Sequence, residues 1–241
     1  MSPDEHADRI AASLLRGRGP ILLCVPGTVA DLYDNGMYAA ARAFIKQTKG
    51  PVSISAIAYP NGVFDVVKRV LRIDTKLETN VLALVLKRLI AANTGRAILL
   101  AGESQGSWYI ADTLRAAPEL AAAVTRVALV SKPGFVGMPA TVGAARQGAA
   151  MLPGTDPGHT GVIQWRHTDD IVPSLFAGIS RKTPMGYIEA ISGWIATKTF
   201  SYRPHHYEMH GDDIASWLLD GVRPTDSVHD SHVHAPKERA A

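Results

Sequence analysis

The sequence predicts an α/β fold, a mostly parallel central sheet with helices on both faces, and three observations carry that expectation. Short continuous apolar runs recur along the chain, stretches of helical spacing separate them, and the runs end in turn residues such as Pro26-Gly27 and Lys132-Pro133-Gly134. Runs that are apolar throughout suit strands buried on both faces.

Taken in order, "ILLCV" at 21–25 is the first strand, "MYAAARAFIKQ" at 37–47 a helix, and "VSISAIAY" at 52–59 a β-branched second strand. "LETNVLALVLKRLIAA" at 77–92 puts Leu77, Val81, Leu84, Val85 and Leu89 on one helical face, and Asn93-Thr94-Gly95 stops it. "AILLA" at 97–101 is the third strand, "SWYIADTLRAA" at 107–117 a helix, "TRVALVS" at 125–131 the fourth strand and "GVIQWRH" at 161–167 the last. "PMGYIEAISGWIATKTF" at 184–200 reads as helical, and "GDDIASWLLDGV" at 211–222 as a final helix with Asp212 and Asp213 as its N-terminal acids. Residues 1–224 are expected to form a single domain, with 134–158 and 180–203 as insertion or lid-like segments. The polar tail 225–241, with His229, His232 and His234, is expected to be disordered.

Composition narrows the class. The 241 residues are enough for one large domain with a sizeable core, and 46% hydrophobic against 20% charged residues is ordinary globular usage. Lys and Arg total 25 against 22 Asp and Glu, a net charge of +3 with the basic residues scattered, so nucleic acid is not the implied partner. Cys24 is the only cysteine, which excludes an intramolecular disulfide. "MSPDEHADRI" carries three acids before the first apolar run, the reverse of a secretory signal, and no window reaches the roughly 18 apolar residues of a transmembrane helix. The expectation is a protein made in the cytoplasm without a signal peptide and, if it acts on the cell envelope, released at lysis.

The chemistry centres on "AILLAGESQGSW" at 97–108, where an apolar strand stops at Gly102-Glu103-Ser104-Gln105-Gly106 and helical spacing resumes. In the α/β-hydrolase fold such a Gly-x-Ser-x-Gly turn is a nucleophile elbow: the serine sits on a strained strand-to-helix turn, and the flanking glycines allow neighbouring backbone to approach. Ser104 is the candidate nucleophile, and the helix behind it favours the negative charge that develops on a carbonyl oxygen. The hydroxyl needs a base and the base an acid, in the chain order Ser, Asp or Glu, His. "WRHTDDIVPSL" at 165–175 supplies Asp170, with Asp169 in reserve; "YRPHHYEMHGDDIASWL" at 202–218 supplies His205, His206 and His210. Those histidines beside Asp212 and Asp213 could also form a metal site, but there is no Cys among them and no HExxH spacing, so no metal and no cofactor are expected. For the oxyanion, one donor is the backbone N–H of Gln105; "CVPGTVADL" at 24–32 offers the second from Thr28 or Val29, with Gly27 permitting close approach.

These residues resemble a known family. "GESQGS" is similar to the Gly-Tyr-Ser-Gln-Gly-Ala/Gly elbow of cutinase-like serine esterases, "VPGT" to the Val-His-Gly-Thr loop of the phage lysin B enzymes, and "RPHHYEMHGDDIASWL" to their Pro-His-Leu-Tyr segment ahead of a final helix. "DDIVPSL" is similar to the Asp-Ile-Val-Pro segment that carries the acid in several lipases. The resemblance implies an α/β hydrolase with the base at His205, the acid at Asp170 and a lipid-like ester as substrate, mycolyl-arabinogalactan in the lysin B case. The same triad would serve an intracellular thioesterase or acyltransferase. Glu103, where the family carries an aromatic residue, raises the alternative of a non-catalytic hydrolase-fold module, and as part of an active site its side chain is expected to turn away from Ser104.

Overall fold

The computed structural model describes residues 1–28, 36–62, 65, 68, 77–132, 161–165 and 207–222. Among them five parallel strands form one sheet in the order β2-β1-β3-β4-β5, with β1 Ile21–Val25, β2 Ser53–Ala56, β3 Ile98–Glu103, β4 Arg126–Val130 and β5 Val162–Trp165. Helices bounded within the described residues are α1 Pro3–Arg16, α2 Gly36–Thr48, α3 Val81–Ala91, α4 Gln105–Ala116, α5 Pro118–Ala123 and α6 Gly211–Asp220. Period-two alternation sorts the buried strand residues onto two faces. Ile21, Leu23 and Val25 of β1, Ile98 and Leu100 of β3 and Val127 and Leu129 of β4 pack with α1, α3, α4 and α5. Leu22, Cys24, Leu99, Ala101, Ala128 and Val130 pack with α2 and α6 on the other side.

Local chemistry explains where the elements begin and end. The acids of the N-terminal segment belong to α1, a helix that the targeting argument left unassigned. Ser2 caps it in a capping box, with Glu5 N–H donating to Ser2 Oγ at 3.2 Å and Ser2 N–H to Glu5 Oε2 at 2.8 Å. Asp4 and Asp8 then bind Arg88 of α3. The helix expected over 77–92 begins later, at Val81, because Asn80 caps it by accepting from Ala83 N–H at 3.0 Å; Leu77–Thr79 form a separate 3-10 turn. The strand expected over 52–59 is shorter. Ile57 N–H still reaches Cys24 O, but the partner strand runs into Pro26, which has no N–H to continue the ladder. The helix expected from Ser107 begins instead at Gln105, directly behind Ser104. The segments 134–158 and 184–200 and the tail from 225 lie outside the described residues.

Sheet order positions the site. From β1 the chain crosses through α2 on one face to β2, and from β3 it crosses through α4 on the opposite face to β4. The C-terminal ends of β1 and β3 are therefore neighbours whose connections diverge, and the crevice at such a switch point is where α/β sheets place their ligands.

At the opposite end of the strands Arg96 ties three segments together. It donates to Leu14 O at the end of α1 (2.8 Å), to Gly19 O ahead of β1 and to Ser53 Oγ at the start of β2. Burial lowers the tendency of this guanidinium to stay charged, and the three acceptors offset that cost. Replacing Arg96 by Ala should cost about 2–3 kcal/mol of stability through the lost charged hydrogen bonds. The urea midpoint should fall, while the slope of the transition should not change.

Candidate active site

Ser104 joins the last residue of β3 to the first of α4 with φ 52° and ψ −118°, a positive φ that a residue with a side chain rarely adopts. Such a conformation costs on the order of 1–3 kcal/mol and persists only where the surroundings over-determine it. Here Ser104 N–H donates to Val130 O of β4 at 2.8 Å, and Ser104 O accepts from Trp108 N–H at 3.2 Å. The Ser107 hydroxyl lies between the two strands, accepting from Val130 N–H at 3.0 Å and reaching Gly102 O at 2.6 Å and Val130 O at 2.9 Å. The serine side chain makes no capping bond to the helix, so its oxygen is not committed to α4.

The two motif glycines are required by space. A Cβ on Gly106 would stand 2.2 Å from Val25 O and 2.4 Å from Pro26 O; one on Gly102 would stand 2.7 Å from Ile110 Cδ1 and 2.8 Å from Ser107 N. Gly27 differs from the expectation that it permits close approach: its added Cβ would meet Glu103 O and Ser104 Cβ at 3.4 Å, ordinary contact. Tight approach is enforced at Gly106, while Gly27 shows how near the loop after β1 lies to Ser104.

That loop carries Thr28, whose Oγ1 is 3.1 Å from Gln105 Oε1. In this pair the Thr28 hydroxyl donates and the Gln105 amide oxygen accepts. Among the described residues Gln105 Nε2 is buried without a partner. Gln105 and Thr28, both expected at the oxyanion position, are thus in contact beside Ser104. Two residues that the sequence argument passed over hold the loop from its other flank. Tyr59 Oη donates to Pro26 O at 2.8 Å and Asn61 Nδ2 to Gly27 O at 3.0 Å, with the Tyr59 ring stacked on Tyr109 of α4 at 4.5 Å between centroids. Both follow β2 at the sheet edge that carries the other candidate loops.

Glu103 is buried and its Oε2 accepts from Gly36 N–H at 3.0 Å, on the face covered by α2 and at that helix's first residue. A helix N-terminus favours a carboxylate, so the charge beside Ser104 is bound by α2. Tyr207, fully buried, reaches the same place: a Cβ on Gly36 would be 3.1 Å from Glu103 Oε2 and 3.2 Å from Tyr207 Cβ. Asp169, Asp170, His205 and His206 lie outside the described residues. β5 ends at Trp165 at the same sheet edge, four positions before Asp169, and Tyr207 follows His206 directly.

His210 pairs with Asp213 at 3.3 Å, and no group of three or more His, Cys, Asp or Glu that could hold a metal occurs among the described residues. The Cys24 thiol is pushed up to about 12 by burial, which keeps it in the unreactive thiol form at neutral pH. Lys132, just past β4, is buried; desolvation first and Arg115 second push it down to about 8, with Asp112 opposing.

No family model matches the sequence, and no curated protein matches it. Comparison with solved structures finds similarity of fold at low identity. A cutinase of Trichoderma reesei in complex with a phosphonate inhibitor aligns over 92% of this chain and 89% of its own, at 13% identity and a TM-score of 0.55. A cutinase-like protein from Cryptococcus sp. (17% identity, 61% of this chain and 74% of that one, TM-score 0.34) and a hydrolase from Oleispira antarctica (12%, 90% and 68%, TM-score 0.32) superpose too loosely to define a shared fold. With its parallel sheet, flanking helices and elbow, the chain has an α/β-hydrolase fold.

Two outcomes follow from this geometry. Gly106→Ala should lose several kcal/mol or fail to fold because its contacts are backbone oxygens, while Gly27→Ala should stay within about 1 kcal/mol of the parent by chemical denaturation. Lys132 has a folded pKa of about 8 against an ordinary 10.5, so between those values the unfolded chain binds more protons and stability rises with pH. Lys132→Met should flatten that rise in denaturation midpoints.

Proposed function

We propose that this chain is a serine esterase acting on lipid-type carboxylic esters. The observation that carries the reading is Ser104 held at positive φ on a strand-to-helix elbow, with Gln105 and Thr28 meeting beside it. Ser104 Oγ attacks the ester carbonyl as His205 takes its proton, and Asp170 holds the imidazole in the tautomer that can accept it. The resulting oxyanion is bound by the Gln105 N–H at the start of α4 and by Thr28. His205 returns the proton to the departing alcohol, leaving an acyl-enzyme. Water then attacks, and the acid and free serine are released. One such oxyanion donor is worth about 10²–10³ in rate.

The finer proposal is a lysin B-like hydrolase of mycolyl esters in the mycobacterial envelope, supported by the "VPGT" and "RPHHYEMHGDDIASWL" segments, with release at lysis. The apolar composition of 134–152 and 184–200 suits an acyl chain beside the site.

A fluorophosphonate should label the wild-type protein once, at Ser104. Ser104→Ala should lower hydrolysis of p-nitrophenyl butyrate by at least about 10³-fold. Unchanged hydrolysis in that variant would overturn the reading. Comparing His205→Ala with His206→Ala, and Asp170→Asn with Asp169→Asn, identifies base and acid by the larger loss. Preference for acyl thioesters over mycolyl-arabinogalactan would remove the lysin role and keep the triad.

A further inference from the structure

We propose that Asn61 is a positioning residue for the oxyanion site, aiming the Thr28 N–H by holding the carbonyl of the same peptide unit; this rests on the esterase reading of Ser104. Gly27 C=O and Thr28 N–H belong to one planar trans peptide, whose two polar groups point in opposite directions. Asn61 Nδ2 donates to Gly27 O at 3.0 Å. The direction of the Thr28 N–H is therefore set by where Asn61 stands. Asn61 follows β2, and the order β2-β1-β3 puts that strand on one side of β1 and the Ser104 elbow on the other. An N–H opposed to Asn61 is directed toward the β3 side.

The neighbouring peptide is held in the same way. Tyr59 Oη donates to Pro26 O at 2.8 Å, and its ring lies on Tyr109 of α4, the helix that starts behind the nucleophile. The loop and the elbow are thus referred to one frame. Between the two anchored carbonyls stands Gly27, which has no side chain to resist rotation of its flanking peptides. Without Asn61 the Gly27–Thr28 peptide has no described side chain on its carbonyl and is free to turn its N–H out of line. A carbonyl that accepts a hydrogen bond also polarises the N–H of its own peptide unit, so Asn61 strengthens the donor as well as orienting it. The oxyanion donor acts on charge that develops only in the transition state, so the effect should fall on kcat and leave ground-state binding alone.

Asn61→Ala and the nearly isosteric Asn61→Asp test this. Both are compared with wild type in kcat and KM on p-nitrophenyl butyrate, in affinity for a trifluoromethyl ketone that forms a reversible tetrahedral adduct, and in thermal midpoint. The expected result is a 10- to 100-fold fall in kcat, KM within about twofold, and ketone affinity weakened by the factor lost from kcat. Tyr59→Phe, which keeps the stacked ring, should show the same pattern at smaller size. If wild-type turnover depends on Ser104 but the folded Asn61 variants keep kcat and ketone affinity, or lose them only in proportion to unfolded protein, the inference fails alone. If wild-type turnover does not depend on Ser104, the esterase reading fails and takes the inference with it.

Discussion

Where the start of α4 passes the end of β1, backbone meets backbone with no room for a side chain. A single methyl group on Gly106 would overlap the carbonyl oxygens of both Val25 and Pro26. This close passage brings the loop after β1 against the elbow after β3 and so sets Thr28 on Gln105. It also helps to explain how Ser104 tolerates an unfavourable φ. With α4 pressed on β1, with Ser104 N–H bound to β4 and with Ser107 bridging β3 and β4, relaxing the serine would break several contacts at once. The strain at one residue is sustained by packing that belongs to three strands and a helix.

Charge is handled by the opposite face of the sheet. An unshielded carboxylate beside a candidate nucleophile would oppose an oxyanion, yet Glu103 directly precedes Ser104. Strand alternation sends its side chain to the face of α2 and α6, where the first N–H of α2 receives it. The carboxylate joins the elbow to the start of α2, and Tyr207, which follows the candidate histidines, is buried against Gly36 at the same helix start. The feature that suggested a non-catalytic module in the sequence is compatible with catalysis once its hydrogen bond is known.

Much of the frame was legible because it depends on local pattern. The strand "ILLCV" matches β1 residue for residue, since an all-apolar run closed by Pro26 leaves little choice of boundaries. The elbow was legible because its two glycines and serine fall within five residues between an apolar run and helical spacing, although what requires Gly106 lies on β1. Helix α1 is absent from the sequence expectation because its acids argue there only against a secretory signal, although the Ser2 to Glu5 capping box stands in the same letters. The second strand was overestimated because "VSISAIAY" is strand-like throughout, while its end is decided by a proline on the neighbouring strand. Tyr59 and Asn61 were missed for a related reason: their partners, the carbonyls of Pro26 and Gly27, are distant in sequence and are not encoded by any side chain.

By itself the sequence determined the α/β class, the position of the elbow, and Ser104 with Gln105 and Thr28 as candidates, because hydrophobic period and turn chemistry act over a few neighbouring residues. Tertiary structure decided which glycine is indispensable, where the Glu103 charge goes, and which side chains hold the loop beside the serine. Those outcomes turn on distances between backbone atoms of different strands, and a parallel sheet brings such atoms together only after helices have carried the chain across its faces.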